Sequence, residues 1–217
     1  EILTATQDST TFNEAHWLKR VRYTDDTAVE NLEIGGRNLI RNSSFENWDG
    51  ALPFGFGKTA NATVQKVAGV KGTNAVRFSA TVGGNNGSNR FYLYYSERLL
   101  ANTNYVLSGW FRRVSDFGEG IEVGGDSWGT RLLRITNPEF EYKVFNLGKG
   151  SLSSNNIFFF PATANSVFEF DALKLEKGNK ATDWSPAPED VQAEIDDAKQ
   201  EALTAAGNAQ TSANTAN

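Results

Sequence analysis

Cysteine and methionine are absent from this 217-residue chain, and histidine occurs once, at His16. The absence of cysteine excludes disulfides, thiolate zinc sites and thiol nucleophiles. It leaves the compartment open, because a reducing cytosol and a disulfide-free extracellular particle both fit it. Because the chain lacks methionine even at its first position, we expect it to be a segment of a longer protein. No apolar run has the length of a membrane span, and no charged-then-apolar leader begins the sequence.

Catalytic motifs are also scarce. A Ser-His-Asp arrangement would have to use His16, and no G-x-S-x-G nucleophile elbow occurs. The stretch "GVKGTN" is shorter than a phosphate-binding Walker A loop. A glycosidase needs only two carboxylates, but no spacing selects an acid and base pair among the candidates Glu46, Asp49, Glu119, Glu122, Asp126 and Asp171. We therefore predict that the chain is not an enzyme.

Nucleic acid is an unsuitable partner for this composition. The formal net charge is -5, whereas phosphate binding requires a basic stripe. The most basic run, "WLKRVRY", is followed at once by "TDD", so we interpret it as the charged face of one strand or helix. Residues 1–34 as a whole are predicted to be a connector or the end of an upstream domain.

Residues 35–184 have the pattern of an all-β domain. Short runs rich in β-branched and aromatic residues recur, such as "AVRFSA", "NYVLSGWFRRV" and "SVFEFDALKLE", and turn-forming stretches such as "GGNNGSN" and "GKGSLSSN" separate them. No long 3.6-residue period lies between them, which argues against parallel βαβ units. About eight to ten short strands predict an antiparallel jelly-roll β-sandwich.

Residues 185–217 change to a helical pattern. Ser185 is predicted to cap the helix, and acidic residues follow in its first turn. A seam of small and apolar residues recurs at steps of four and three, which is a heptad pattern: Val191, Ile195, Ala198, Ala202, Ala205, Ala209, Ser212 and Ala216. Such a helix buries little on its own. The pattern therefore predicts the start of a parallel coiled coil in a homo-oligomer, with a trimer favoured over a dimer; a linker helix in a monomer is the alternative.

Two distant carboxylates are candidates for a metal site. Glu46 follows the first predicted strand of the β-domain, and Asp171 lies within the last long one. A jelly roll makes its first and last strands neighbours, so these residues can meet. An Asp in the middle of a strand is disfavoured and calls for a compensating partner. Carboxylates and backbone carbonyls are the ligands that Ca²⁺ takes.

The sequence resembles jelly-roll domains of the carbohydrate-binding-module kind, as built into bacteriophage tail-tip, tail-fibre and baseplate proteins. The resemblance covers about residues 35–190, and its most specific parts are the opening "NLIRNSSFENW" and the closing "FEFDALKLEKGNKATDWSPAPED". It implies a structural Ca²⁺ site on Glu46 and Asp171, with backbone carbonyls from the turn around Gly72 and Asn74. It also implies a location in the virion, at the phage tail.

Sugar binding in such domains depends on exposed aromatic side chains and polar neighbours. The alternation of "VLSGWFRR" places Trp110 and Arg112 opposite Leu107 and Phe111, so the first pair is predicted to face the glycan if the second faces the core. Tyr92 and Tyr94 alternate similarly, and Trp128 could form a rim. For each residue, packing in the core is the competing interpretation; Trp48 and Trp184 are predicted to close the core at the domain ends.

The resulting prediction is host adhesion by a phage tail module that binds cell-surface glycan weakly and in many copies. Its partners would be that glycan, other tail proteins and further copies of this chain. Two alternatives stay open: a purely structural spacer without a ligand, and a polysaccharide depolymerase.

Overall fold

The computed structural model describes residues 2–5, 17–21, 32–125, 129–151 and 154–216. Contacts divide the chain into two units, Glu1–Glu33 and Ile34–Asn217. In the first unit, strands β1 (Ile2–Ala5) and β2 (Trp17–Val21) pair in antiparallel fashion. The first five residues of the basic run therefore form a strand. His16 lies outside the described residues.

The second unit contains the β-domain. Its strands are β3 (Trp48–Asp49), β4 (Leu52–Pro53), β5 (Phe56–Lys58), β6 (Ala62–Ala68), β7 (Asn74–Ala80), β8 (Phe91–Leu99), β9 (Asn104–Arg113), β10 (Gly120–Gly125), β11 (Gly129–Arg134), β12 (Glu141–Lys149), β13 (Ser154–Pro161) and β14 (Val167–Lys177). The first sheet has the order β12-β9-β14-β7-β6, and the second has the order β11-β10-β13-β8-β5. All pairings within both sheets are antiparallel. The predicted antiparallel jelly-roll β-sandwich is confirmed.

The core between the sheets is built around Phe170 of β14. Its ring centroid lies 5.5 to 6.4 Å from five other phenylalanine rings that come from both sheets and from the opening turn, namely Phe45, Phe78, Phe91, Phe111 and Phe159. All of these side chains are buried. The many phenylalanines of the sequence therefore fill the space between the sheets, where their large apolar area stabilises the fold.

A β-bulge changes the alternation of β14 at its middle. Phe168 and Phe170 point into the core before it, and Leu173 and Leu175 do so after it. The pairing with β9 shifts register between Asp171 and Lys174, and Ala172 has a positive φ of 49°. The extra residue moves the inward face by one position. As a result Glu169, Asp171, Lys174 and Glu176 all lie on the outer face, although each is buried by segments that cover it.

The C-terminal helix α1 (Pro188–Ala216) begins three residues later than the sequence predicts. Ser185 does not cap it, because Pro186 and Pro188 disfavour helical backbone in the residues before them, and Pro188 suits the first helical position. The helix has no buried residue. Among the described residues, no helix combines the length and the apolar composition that crossing a bilayer requires.

Candidate functional site

The turn between β6 and β7 receives the carboxylate of Glu46. Its Oε1 accepts hydrogen bonds from the backbone N–H groups of Thr73 (2.8 Å) and Asn74 (3.2 Å). Its Oε2 accepts from the Asn74 side-chain amide (2.9 Å) and from the Thr73 hydroxyl. Any Cβ on Gly72 would collide with Oε1. Gly72 therefore contributes by having no side chain.

The same turn receives the carboxylate of Asp171 at its other end. The Oδ2 of Asp171 accepts from the backbone N–H groups of Val70 (2.7 Å) and Lys71 (2.9 Å), while Oδ1 accepts from Ala172 (2.6 Å). The structure thus brings the two carboxylates to one turn. We call Glu46, Asp171 and the turn of residues 69–74 the carboxylate clasp.

Left-handed backbone flanks both carboxylates of the clasp. Phe45, directly before Glu46, has a φ of 57°, and Ala172, directly after Asp171, has a φ of 49°. Non-glycine residues rarely adopt this conformation, and such positions concentrate at ligand clamps and other functional sites. Here the conformation sends Phe45 into the core while Glu46 faces the turn.

The clasp shifts the pKa values of its two carboxyl groups in opposite directions. Burial raises the pKa of Glu46, but hydrogen bonds from Thr73 and Asn74 together outweigh it, and the net pKa is below its ordinary value. For Asp171, burial raises the pKa, three backbone N–H groups offset this in part, and the nearby Glu46 charge raises it further. The net pKa of Asp171 is above its ordinary value, as expected for a buried carboxyl near a like charge.

The clasp has the carboxylate ligands that a hard cation takes, but Glu46 Oε1, Glu46 Oε2 and Asp171 Oδ2 each accept two hydrogen bonds. A cation would have to displace some of these donors. The Asn74 carbonyl oxygen and Asp171 Oδ2 both lie near Gly69. A Cβ on Gly69 would collide with the first oxygen and would be 2.8 Å from the second. Ca²⁺ takes about six to eight oxygen ligands. No group of three or more acidic, His or Cys side chains that could hold a metal occurs among the described residues. Further ligands would therefore have to be backbone carbonyls and water.

A hollow lies on the outer face of the first sheet, beside the clasp. Its volume is about 460 Å³, and it is lined by Lys71, Trp110, Tyr142, Asp183 and Trp184. Tyr142 of β12, Trp110 of β9 and Asp171 of β14 are cross-strand neighbours in one row. The rings of Trp110 and Tyr142 lie 5.8 Å apart at 60°. Aromatic residues of two adjacent strands therefore line the hollow, and we call it the aromatic hollow.

Two opposite charges border the aromatic hollow. The Lys71 ammonium lies 5.3 Å from the centroid of the Trp110 ring, which is a cation–π arrangement. Neither Lys71 nor Asp183 has an ion-pair partner within the described parts of the chain. The indole Nε1 of Trp184 is shielded from solvent, and no described residue accepts a hydrogen bond from it. The aromatic hollow therefore offers a cation and an anion beside aromatic rings.

Arg112, predicted to bind glycan together with Trp110, is engaged elsewhere on the same face. Its guanidinium donates to Glu169 (2.6 Å), which is fully buried and also pairs with Arg77 (2.6 Å). The guanidinium further stacks on the Phe140 ring at 4.6 Å. These contacts make Arg112 part of a charge cluster that covers β14, and it does not line the aromatic hollow.

Tyr92 lies on the other sheet, so the structure does not bring it together with Trp110. It alternates with the core residues Phe91 and Leu93 on β8, and its ring lies against Gly57 of β5. The two side chains face away from opposite sides of the sandwich. The order of strands places β8 and β9 in different sheets, so these two predicted glycan-binding residues do not form one site. The Tyr94 side chain and Trp128 lie outside the described residues.

Trp184 corrects another prediction, since it lines the aromatic hollow instead of closing the core. Trp48 does pack against the core, and its Nε1 donates to the Phe45 carbonyl. The aromatic hollow has three further lining residues that no sequence motif singles out: Lys71, Tyr142 and Asp183. The sequence signal for Tyr142 is its spacing from Val144. Residues two apart on a strand lie on the same face, and both side chains are exposed.

Comparison with known proteins gives structural similarity only. No family model matches the sequence, and no curated protein matches it. A xylan-binding domain of carbohydrate-binding-module family 22 from Paenibacillus barcinonensis is 15% identical, with a TM-score of 0.48, over 68% of this chain and 98% of that one. A family 16 carbohydrate-binding module is 23% identical, with a TM-score of 0.44, over 64% and 99%.

A Stig cyclase from Fischerella sp. TAU is similar to the same extent, at 16% identity and a TM-score of 0.47, over 71% of this chain and 100% of that one. Binding modules and an enzyme thus share this degree of likeness. All three TM-scores are below 0.5, so no ligand or activity is transferred from these structures to the chain.

Proposed function

We propose that this chain is a non-catalytic carbohydrate-binding module whose ligand site is the aromatic hollow. The observation that carries the proposal is the meeting of Trp110, Tyr142 and Trp184 with Lys71 and Asp183 around one hollow. Aromatic faces stack on the apolar face of a pyranose, and a few polar groups fix its orientation. Among the described residues, Asp183 is the one carboxylate that lines the hollow, so these residues do not assemble a paired acid and base for hydrolysis there.

The charges of the aromatic hollow favour a neutral sugar. The Lys71 ammonium can donate to a hydroxyl or ring oxygen, and the Asp183 carboxylate can accept from a pair of hydroxyls. An acidic sugar would gain from Lys71 but would be repelled by Asp183. Only five described residues line the hollow, so we expect weak binding by a single copy and a gain through repetition.

Isothermal titration calorimetry with defined oligosaccharides tests this proposal. The panel contains xylohexaose, cellohexaose, a mannohexaose and a hexagalacturonate, the last as the acidic probe. We expect at least one neutral probe to bind, and Trp110→Ala to weaken it by about tenfold, which corresponds to about 1.4 kcal/mol. Tyr92→Ala, on the opposite sheet, is the matched control and should leave the affinity unchanged. Loss of binding in Tyr92→Ala but not in Trp110→Ala would place the site on the other face.

We further propose that the module serves adhesion in a phage tail-tip or tail fibre, as part of the virion. The support is the sequence resemblance of the opening and closing motifs. The exposed heptad seam of α1 supports assembly with other copies, a trimer being the favoured state. Sedimentation equilibrium of the chain with and without residues 189–217 tests this; a monomer in both cases would contradict it. If the panel also shows no binding, a structural spacer without a ligand becomes the better interpretation.

We also propose that Glu46 and Asp171 hold Ca²⁺ in the carboxylate clasp, where the ion would neutralise two neighbouring like charges. Backbone carbonyls of the turn and water would supply the further ligands. We expect the melting temperature to rise on adding Ca²⁺ and to fall with chelator, by mass action on the folded state. Glu46→Gln should abolish the response. An unchanged melting temperature in the unsubstituted chain would exclude a cation at this site.

A further inference from the structure

We propose that Asp171 and Lys174, two buried charges on β14, are positioning residues for the aromatic hollow. Each holds the backbone of one wall, so that the side chains of Lys71 and Asp183 are presented beside Trp110. The effect of this positioning on affinity rests on the proposed function, because it requires that the hollow bind a ligand. It goes beyond a stabilising role for the carboxylate clasp.

The first wall is the β6–β7 turn, held by Asp171. Its Oδ2 accepts from two successive backbone N–H groups, those of Val70 and Lys71, at 2.7 and 2.9 Å. Asp171 is also the cross-strand neighbour of Trp110. The carboxylate therefore fixes the backbone of Lys71 directly beside the strand that carries the indole. The Lys71 ammonium then reaches the Trp110 ring, and no ion pair with another described residue holds it there.

The second wall is the segment after β14, held by Lys174. Its ammonium donates to the Asp183 carbonyl oxygen and to the Thr182 hydroxyl, both at 2.6 Å. The neighbouring Glu176 accepts from the Thr182 backbone N–H at 2.8 Å and from Gly36 at 2.8 Å. Lys174 is almost fully buried and Glu176 completely so. These bonds hold the backbone from which Asp183 and Trp184 reach the hollow.

The bulge of β14 makes this arrangement possible. Without the extra residue at Ala172, strict alternation would place Lys174 on the same face as Phe170, in the core. With it, Asp171 and Lys174 both lie on the outer face, opposite Trp110 and Ser108 of β9. One strand thus carries an acceptor for one wall and a donor for the other.

The Lys71 position can be tested without any ligand. In the unsubstituted chain, the ring current of Trp110 should shift the Lys71 ε-methylene proton resonances upfield, as measured by ¹H–¹³C NMR. We expect this shift to be lost in Trp110→Ala and strongly reduced in Asp171→Asn. Glu169→Gln is the matched control, because it removes a buried carboxylate of the same strand that touches neither wall. The proposal would be overturned if the upfield shift of the Lys71 resonances were as large in Asp171→Asn as in the unsubstituted chain.

Affinity for the oligosaccharide that binds most tightly then tests the consequence through double-mutant cycles. Asp171→Asn should raise Kd about tenfold in the unsubstituted chain and have no further effect in Lys71→Ala. A merely structural role would give the same loss in both backgrounds. If Asp171→Asn does not fold, the second wall provides the corresponding cycle. Lys174→Met should weaken binding in the unsubstituted chain and have no further effect in Asp183→Ala. If no oligosaccharide binds, the proposed function fails, and the NMR result still decides whether Asp171 positions Lys71.

Discussion

Asn38 connects the opening segment of the β-domain to the closing strand, and its replacement by alanine should be severely destabilising. The side chain is completely buried. Its amide nitrogen lies within hydrogen-bonding distance of three acceptors: Ser43 Oγ (3.0 Å) and the carbonyls of Leu173 (3.0 Å) and Ser185 (2.9 Å). Its amide oxygen accepts from the backbone N–H groups of Ile40 (3.0 Å) and Leu175 (3.2 Å).

The magnitude follows from the groups that alanine leaves behind. Two buried N–H groups lose an acceptor, and the buried Leu173 carbonyl loses a donor. At about 1–3 kcal/mol for a buried group left unsatisfied, with partial relaxation, we expect Asn38→Ala to lower the free energy of unfolding by about 3–5 kcal/mol. For a chain of this size that corresponds to a fall in melting temperature of about 10 °C.

Urea denaturation followed by circular dichroism measures this loss. Ser43→Ala is the matched control, because it removes one of the acceptors and leaves the backbone contacts of Asn38 intact; we expect about 1 kcal/mol. A loss below about 1 kcal/mol for Asn38→Ala, at unchanged denaturant dependence, would refute the idea that this side chain joins the two segments.

Three further predictions concern the core, the outer face and the clasp. Phe170→Ala should lower the free energy of unfolding in urea by about 3–5 kcal/mol, and Phe170→Leu by clearly less; equal losses would contradict its central place in the core. Glu169→Gln should cost about 1–3 kcal/mol, because Arg77 and Arg112 lose their buried counter-charge but stay partly exposed; an unchanged midpoint would contradict this. Since the pKa of Glu46 is lower in the folded chain, the unfolded chain binds more protons as pH falls through about 4.5. Acidification in a urea series should therefore destabilise the unsubstituted chain more than Glu46→Gln, and parallel curves would contradict it.

The sandwich itself could be predicted because its strands alternate and turn-forming stretches separate them. The β14 bulge could not, since nothing about an alanine at position 172 indicates a positive φ. The predicted start of α1 is wrong because it relies on the capping side chain of Ser185, whereas the backbone preferences around two prolines determine where the helix begins.

The candidate site could be predicted only in part. Alternation on β9 correctly separates Trp110 from Leu107 and Phe111, because one strand is enough to define its two faces. Whether Tyr92 shares that face depends on strand order, which a single sequence does not determine. The walls of the aromatic hollow were missed because Lys71 and Asp183 come from turns distant in sequence. In the proposed arrangement two buried charges of β14 hold these turns, and alternation from Phe170 alone would place one of them, Lys174, in the core.

The most direct test of the proposed carbohydrate site is a ¹H–¹⁵N NMR titration of the tryptophan indole resonances with the neutral hexasaccharides. Trp110 and Trp184 line the aromatic hollow, while Trp48 packs against the core and serves as an internal reference. We predict that the indole signals of Trp110 and Trp184 shift together in a saturable manner while that of Trp48 does not. Saturable shifts that leave Trp110 and Trp184 unchanged, or no shift with any hexasaccharide at millimolar concentration, would contradict a carbohydrate site in the aromatic hollow.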